Sequence, residues 1–440
     1  MEKYFLAIDI GASSGRHIIG FDNGKEIETC EVYRFTNGVK EYNGHLIWDI
    51  EHIFSEVVNG IKTALLKYPK IESLAIDTWG VDYALIKDGK PVLPVYAYRD
   101  SRTDKSIPEV HKITSLKYLF ERTGIAFQTY NTIYQLYEDK MTGRLDGATD
   151  FLLIPELINY MLTGKKVKEY TNATTTGLVN ADTKEFDSEI IEKLGLPLHL
   201  FPKLYEGGET VGDLKPEIQK AVGGNVPVKL CLSHDTASAF YTAGIYGGEN
   251  SVYISSGTWS LLGNKQKNKH NGETAMLDGF TNEGGIGRSF RFLKNIMGMW
   301  VINNVCKENG ITPKDVAGLA EQSVYDHTVN VNHKDFFAPD NMTEVFKKHL
   351  QISDAPNLKN INDLARCALL SLAKSYAESV TQLEEHVGKT YENIVIVGGG
   401  AKNKLLNELT EKFSRKKVIA MPIEATAIGN LKIQMEASNE

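Results

Sequence analysis

The chain has little of what marks a secreted, membrane or nucleic-acid-binding protein. Only four of its 440 residues are cysteine. Cys30, Cys231, Cys306 and Cys367 show no metal-ligand spacing, and Cys231 sits in an apolar run where it reads as a small core residue. A reducing compartment fits this usage, and the expected location is the cytoplasm. No apolar run approaches the ~20 residues that span a bilayer, and MEKYFLAIDIGAS enters a strand with no cationic leader. Long basic runs are absent too, and the net charge is −7 with a pI near 5.9. Nucleic acid and anionic membranes are therefore not expected partners. There is no low-complexity tract and no short-period repeat.

What is present is one glycine-rich turn pattern used twice, AIDIGASSGR from Ala7 to Arg16 and VYISSGTWSLLG from Val252 to Gly263. Each places Gly, Ser or Thr between two apolar runs, as backbone N–H groups require if they are to cradle phosphate. Gly11, Gly15 and Gly257 are expected to supply positive-φ freedom, and Ser13, Ser14, Ser256 and Thr258 to add hydroxyl donors. Asp9 is placed to hold a hydrated divalent cation, and Arg16 adds a positive charge. Neither turn is a P-loop, because GxxxxGK[ST] occurs nowhere, and neither leads from strand to helix as a dinucleotide fingerprint must. A third glycine turn lies in IVIVGGGAKNKLL, Ile394 to Leu406.

A chain of 440 residues exceeds what one core supports and suggests two domains of roughly 200 residues each. Strands are expected near Tyr4 to Ile10, His17 to Phe21 and Ile27 to Arg34, then a helix near Glu51 to Lys67 and a strand near Ile71 to Asp77. That βββαβ order opens an actin-like nucleotide-binding domain. The segment TNATTTGLVN, Thr171 to Asn180, reads as connecting structure. Val226 to Ser233 reads as a buried strand and Thr236 to Gly244 as a helix. Strands restart around Ser251 to Leu262, and Ile361 to Val387 carries a helical apolar stripe with Gly388 as its stop. The expected fold is α/β, two actin-like (ribonuclease H-like) ATPase domains flanking a cleft. GIYGGEN puts the boundary between residues 1–244 and 245–440.

Ser233, His234, Asp235 and Thr236 follow the apolar run VPVKLCL and open a helix, where ligands bind in open α/β sheets. Phosphoryl transfer to a hydroxyl needs a carboxylate to take the proton, and Asp235 suits that role; it also suits a helix N-cap. Trp79 and Asp82 flank Gly80, where a ring can stack on a sugar or simply fill core. Arg99, Asp100 and Arg102 read as a sugar-facing cluster or as solvated ion pairs. Asn295, before a helix, reads alone as a cap.

Together with RFTNGVKEYNGHLIWD (Arg34 to Asp49), IDTWGVDYAL (Ile76 to Leu85), YRDSRT (Tyr98 to Thr103), EYTNATTTGLVN, SHDTASA, TNEGG (Thr281 on) and LKNIMGMW (Leu293 to Trp300), these segments resemble the FGGY carbohydrate kinases over nearly the whole chain. The resemblance implies ATP and Mg²⁺ as cofactors and a small-molecule ketose as substrate, in a monomer or small homo-oligomer. It assigns Ala12, Ser13, Ser14, Gly15 and Arg16 to the first ATP-phosphate loop, Thr258 to the second, and Gly400 to a nucleotide contact. His234, Asp235, Thr236, Gly80 and Asn295 match sugar contacts, with Asp235 as proton acceptor. Asn303 stands where the family has glutamine at a nucleotide contact. DIGASSGR with DTWGVD and TNATTT implies L-rhamnulose, phosphorylated at its 1-hydroxyl; L-fuculose, L-ribulose and xylulose are the alternatives. An actin-like ATPase without a small-molecule acceptor is the alternative outside the class, and it has no use for SHDTASA.

Overall fold

A computed structural model describes residues 2–337, 339–421 and 424–439. Two six-stranded sheets share one plan. In the first, β1 (Tyr4–Ile10) is antiparallel to β2 (Ser14–Asp22), which pairs with β3 (Ile27–Thr36). Helix α1 (Ile50–Lys67) then crosses over to β4 (Ile71–Thr78), parallel to β1. Beyond it lie β5 (Thr210–Gly212) at the edge and β6 (Val228–Lys229), the latter parallel to β4. After α2 (Asp235–Gly247) the plan restarts with β7 (Ser251–Ser256), β8 (Ser260–Gln266), an added edge strand β9 (Phe280–Gly284) and β10 (Phe290–Ile296). Helices α3 (Gly298–Glu308) and α4 (Ile361–Val387) precede β11 (Asn393–Val397), parallel to β7; β12 (Lys417–Met421) is parallel to β11. A last helix, α5, spans Ala425–Glu436. This is the paired actin-like α/β architecture that the element order implied.

Local chemistry explains the elements. β1 lies between two neighbours and is buried from Phe5 to Ile10, so it reads as an apolar run broken by Asp9 alone. Helix α1 starts at Asp49, whose carboxylate accepts from the His52 amide, and buries Ile53, Val57, Ile61 and Ala64 at helical spacing. Helix α4 has the expected bounds and stops at Gly388, where φ is +67°.

Two expectations need correction. The run from Val226 to Ser233 is buried in large part, but its ladder covers only Val228–Lys229. The extended chain beyond rejoins β4 at a bridge between Thr78 and His234. The segment TNATTTGLVN is not connecting surface structure. Tyr170–Thr174 is a buried helix capped by Glu169, and Thr175 and Thr176 continue under the cleft.

The two lobes exchange helices. α2 leaves the first sheet and packs Ala239, Phe240 and Ala243 on Tyr253, Val395 and Val397 of the second. α5 leaves the second sheet and packs Ala427, Leu431 and Met435 on Phe5, Ala7 and Ile18 of the first. The helices cross at Gly429, where a Cβ would stand 2.1 Å from the Ser238 carbonyl oxygen, so only glycine permits this backbone approach. Buried amides fasten α5 to its sheet: Asn430 Nδ2 donates to Asp77 Oδ2 at 2.6 Å, and Gln434 Nε2 donates to the Leu6 carbonyl at 3.1 Å.

Candidate active site

Both phosphate-type turns are three-residue hairpin connections at the carboxyl end of the first strand of a lobe. The Gly11 amide donates to the Ser14 carbonyl at 2.9 Å and the Gly257 amide to the Trp259 carbonyl at 2.8 Å. The expected reason for their glycines is corrected: Gly11, Gly15 and Gly257 do not have positive φ. Gly15 is required by space, since a Cβ there would meet the Phe35 ring at 2.1 Å. The third turn supplies the positive φ, +85° at Gly398, and packs beneath the second turn, where a Gly400 Cβ would stand 1.9 Å from Ser256 Oγ.

Between the lobes lies a cavity of about 330 Å³. Of the residues singled out from sequence, it gathers Ala12, Gly80, His234, Asp235, Thr236, Thr258 and Asn295. A neighbouring cavity of about 230 Å³ takes in Arg16, Gly398, Gly399, Lys402 and Glu424, and the two share Ser255 and Thr426. The cleft thus has a polar and aromatic compartment beside a compartment floored by backbone glycine turns. Ser13, Ser14 and Gly15 lie on or beside the first turn without lining either cavity, and Gly400 is buried behind it. Asn303 is exposed on α3, away from both. Asn295 lies within β10, two residues before the N-cap of α3 at Met297, which removes the cap reading.

Asp235 is the first residue of α2, not its cap; His234 is the cap residue. Its Oδ1 accepts from the Thr236 amide at 2.6 Å and stands 3.6 Å from His234 Nε2. Burial pushes this carboxyl up to about 6, and the Asp9 charge adds to the rise. Asp9 and Asp77 are paired in register across β1 and β4. Burial and Asp9 hold Asp77 well above the usual carboxylate range, and its Oδ1 is buried without a hydrogen-bond partner. Arg16 pairs with Asp9 at 2.5 Å and also with Glu424 of the second lobe. A carboxyl poised near neutrality, two further carboxylates and two amide-lined turns are a set of groups suited to moving a phosphoryl group onto a hydroxyl.

Sequence reasoning missed the groups that hold this set in place. Glu169 is fully buried and accepts from Ser233 Oγ at 2.7 Å and Thr171 Oγ1 at 2.6 Å, fixing the strand end before His234. Arg291 donates to Glu283 at 2.9 Å, to Thr236 Oγ1 at 2.9 Å and to His234 Nδ1 at 3.1 Å. Burial raises the Glu283 carboxyl, but Arg291 and His234 more than reverse this and bring it down to about 2. Arg291 and Glu283 share no short motif with His234 or Thr236, and Glu169, within EYTNATTT, is 64 residues from Ser233, so spacing gave no signal for these contacts. Asp82 is not free for a sugar: its Oδ2 accepts from Trp48 Nε1 at 2.7 Å, Trp79 Nε1 at 2.9 Å and the Tyr98 amide at 3.0 Å. Trp79 packs against Trp48 with ring centroids 4.2 Å apart and planes tilted by 39°, and it also lines the cavity. The charged triplet divides. Arg102 is an internal ion pair with Asp139, Asp100 accepts from backbone amides, and only Arg99 faces the cavity.

Two lobes of this fold around a cleft lined by paired glycine turns and a buried carboxyl have the parts of a nucleotide-dependent phosphotransferase. Family models sharpen the class. The chain belongs to the FGGY family of carbohydrate kinases, whose N-terminal domain matches residues 4–241 and whose C-terminal domain matches residues 252–438. The chain is 41 % identical over 445 aligned positions to a rhamnulokinase of Oceanobacillus iheyensis, covering all of this chain and 94 % of that protein. It is 41 % identical, with the same coverage, to a rhamnulokinase of Halalkalibacterium halodurans. Among solved structures, gluconate kinase from Lactobacillus acidophilus superposes with a TM-score of 0.82 at 15 % identity, covering 100 % of this chain and 90 % of that one. No helix among the described residues is long and apolar enough to cross a membrane.

Proposed function

We propose that the chain transfers the γ-phosphoryl group of ATP to the 1-hydroxyl of L-rhamnulose, giving L-rhamnulose 1-phosphate and ADP, as a cytoplasmic step of L-rhamnose catabolism. The observation that carries the reading is Asp235, a carboxyl raised to about 6 in the inter-lobe cavity beside both phosphate turns. Family membership supports the reaction class, and full-length similarity to rhamnulokinases supports the ketose.

The first unit, residues 1–244, holds the ketose at Gly80, His234, Thr236 and, from across the cleft, Asn295 of the second unit, residues 245–440. Asp235 takes the proton from the ketose hydroxyl as that oxygen attacks the γ-phosphorus and the bond to the ADP oxygen breaks. Backbone amides around Ala12, Ser13, Ser14 and Gly15, with Arg16 and Thr258, orient the phosphates. Gly400 lets the third turn approach the nucleotide, and Asn303 adds a side-chain amide when the lobes close. The donor set also suits Mg²⁺: all-oxygen, with an unpartnered Asp77 oxygen beside Asp9 and Asp235. Asp9, through water, and Asp77 would hold the ion, which would neutralise phosphate charge. Monomers or small homo-oligomers suffice, because both sides of the cleft come from one chain.

ADP release with Mg-ATP against L-rhamnulose, L-fuculose, L-ribulose, L-xylulose and D-xylulose tests the reading. L-rhamnulose is expected to give by far the highest kcat/KM. A different winner overturns the ketose assignment, and no turnover with any of the five overturns the kinase reading.

A further inference from the structure

We propose that His333, Asp335 and His349 form a binding site for a divalent transition metal of the zinc type, on the second lobe and separate from the cleft. Among the described residues this is the one group of three His, Cys, Asp or Glu side chains whose ligand atoms converge, all within 4.8 Å of one another. His333 precedes the short helical turn Lys334–Phe336 that carries Asp335, and His349 comes from the last turn of the helix Met342–Ile352.

The spacing is close to a metal polyhedron. Asp335 Oδ1 lies 3.3 Å from His333 Nδ1, and Oδ2 lies 3.1 Å from His349 Nε2. The edge of a tetrahedron with ~2.1 Å metal–ligand bonds is about 3.4 Å. Side-chain rotation would complete the set and leave a fourth position for water. Two imidazoles and one carboxylate suit zinc, copper or nickel, whereas magnesium takes all-oxygen ligands. The surroundings orient the ligands: the Phe336 ring packs on His349 at 5.1 Å, and Lys348, exposed, donates to Asp335 Oδ2 at 2.8 Å.

A plain hydrogen-bonded cap is the competing account, since His333 Nδ1 also accepts from the Asp335 amide at 3.3 Å. It requires no metal uptake. The location gives a bound ion something to brace. The Phe336 carbonyl accepts from Trp300 Nε1 at 3.3 Å, the Asn332 carboxamide accepts from the Met297 amide at 3.1 Å, and the Phe337 ring lies 5.8 Å from Trp259, which lines the main cavity.

The test uses the full chain, stripped with chelator and titrated with Co²⁺ in excess Mg²⁺, so that oxygen-ligand sites are already filled. One Co²⁺ per chain is expected, with visible absorption of a nitrogen-containing site, displacement by Zn²⁺ and quenching of tryptophan fluorescence. His333→Gln and His349→Gln should each weaken binding ~10–100-fold or more, while Asp235→Asn should not change it. His349 is largely buried, so if its variant melts early the exposed His333→Gln variant decides. No stoichiometric Co²⁺ uptake, or uptake unchanged in His333→Gln, overturns the site.

Discussion

Replacing Asp235 by asparagine is expected to move activity and stability in opposite directions. Burial is the main reason this carboxyl is pushed from 3.8 up to about 6, and at ~1.4 kcal/mol per unit the buried charge costs at most about 3 kcal/mol. The side chain keeps 28 % of its surface exposed in the cleft, so solvent screening brings the figure to ~1–2 kcal/mol. The sign follows from linkage. The folded value lies above the unfolded one, so the fold favours the protonated acid. That contribution is complete below about pH 4 and is lost as pH rises through about 6. Asparagine stays neutral throughout and retains the Oδ1 acceptor that the Thr236 amide uses at 2.6 Å. At pH 7.5 Asp235→Asn should therefore melt ~1–2 °C above the wild type, with the gap narrowing steadily between pH 6 and 4. Turnover should fall ~10²–10⁴-fold while ketose and nucleotide still bind. Calorimetry across pH, with steady-state kinetics on the same samples, reads both. A variant no more stable than wild type at pH 7.5, or a gap that does not change with pH, refutes the burial argument; near-wild-type turnover refutes the base.

Three other outcomes are expected. Asp82→Ala leaves Trp48 Nε1, Trp79 Nε1 and the Tyr98 amide without their shared acceptor; at ~1–3 kcal/mol per orphaned donor, urea unfolding should show a loss of several kcal/mol and near-ultraviolet dichroism a changed tryptophan signal. Gly400→Ala drives a methyl into Ser256 Oγ at 1.9 Å, so the KM for ATP should rise at least tenfold with the ketose KM little changed, and adding Ser256→Gly should restore part of it. Gly429→Ala forces α2 and α5 apart at a 2.1 Å contact with the Ser238 carbonyl; small-angle scattering should show compaction on adding ketose and nucleotide analogue to wild type, and a loss of that compaction together with reduced kcat in the variant.

The parts of the fold legible in sequence were those whose burial is periodic or continuous. β1 is apolar except at Asp9 because both its faces are covered, and α4 shows an apolar stripe for 27 residues between an asparagine cap and a glycine stop. β6 was overextended because the apolar run VPVKLCL marks burial, and burial continues past the two residues that form a ladder. The helix Tyr170–Thr174 was missed because threonine-rich segments favour turns in isolation; here Glu169 caps the helix and buried neighbours override that preference. The same divide runs through the site. His234, Asp235 and Thr236 are contiguous and therefore visible, whereas their supports Arg291, Glu283 and Glu169 come from distant segments and meet only in three dimensions. Asp82 misled in the other direction, since nothing in DTWGVD says that its carboxylate is consumed by two indoles.

Duplication of the lobe plan explains why the chemistry sits at the crossing of the two halves. Each lobe ends in a helix that packs on the opposite sheet, and each of these helices begins in the cleft: α2 at Asp235 and α5 just before Thr426. Their amino-terminal amides and dipoles therefore point into the cleft, where an anion is favoured. The copies have also diverged in charge. The strand ends of the first lobe carry Asp9 and Asp77, while the corresponding ends of the second carry Ser255, Ser256 and Val397. Carboxylates on one wall and hydroxyls and amides on the other match the proposed division of labour, with cation and proton acceptor on the first side and nucleotide on the second. Gly429 and Ser238, one turn into each helix from those site residues, are in close backbone contact, so a rotation of one lobe on the other would act through them. A closure of the cleft about that contact would move Asp235 and the glycine turns relative to one another, and so would link water exclusion to assembly of the proposed reactive geometry.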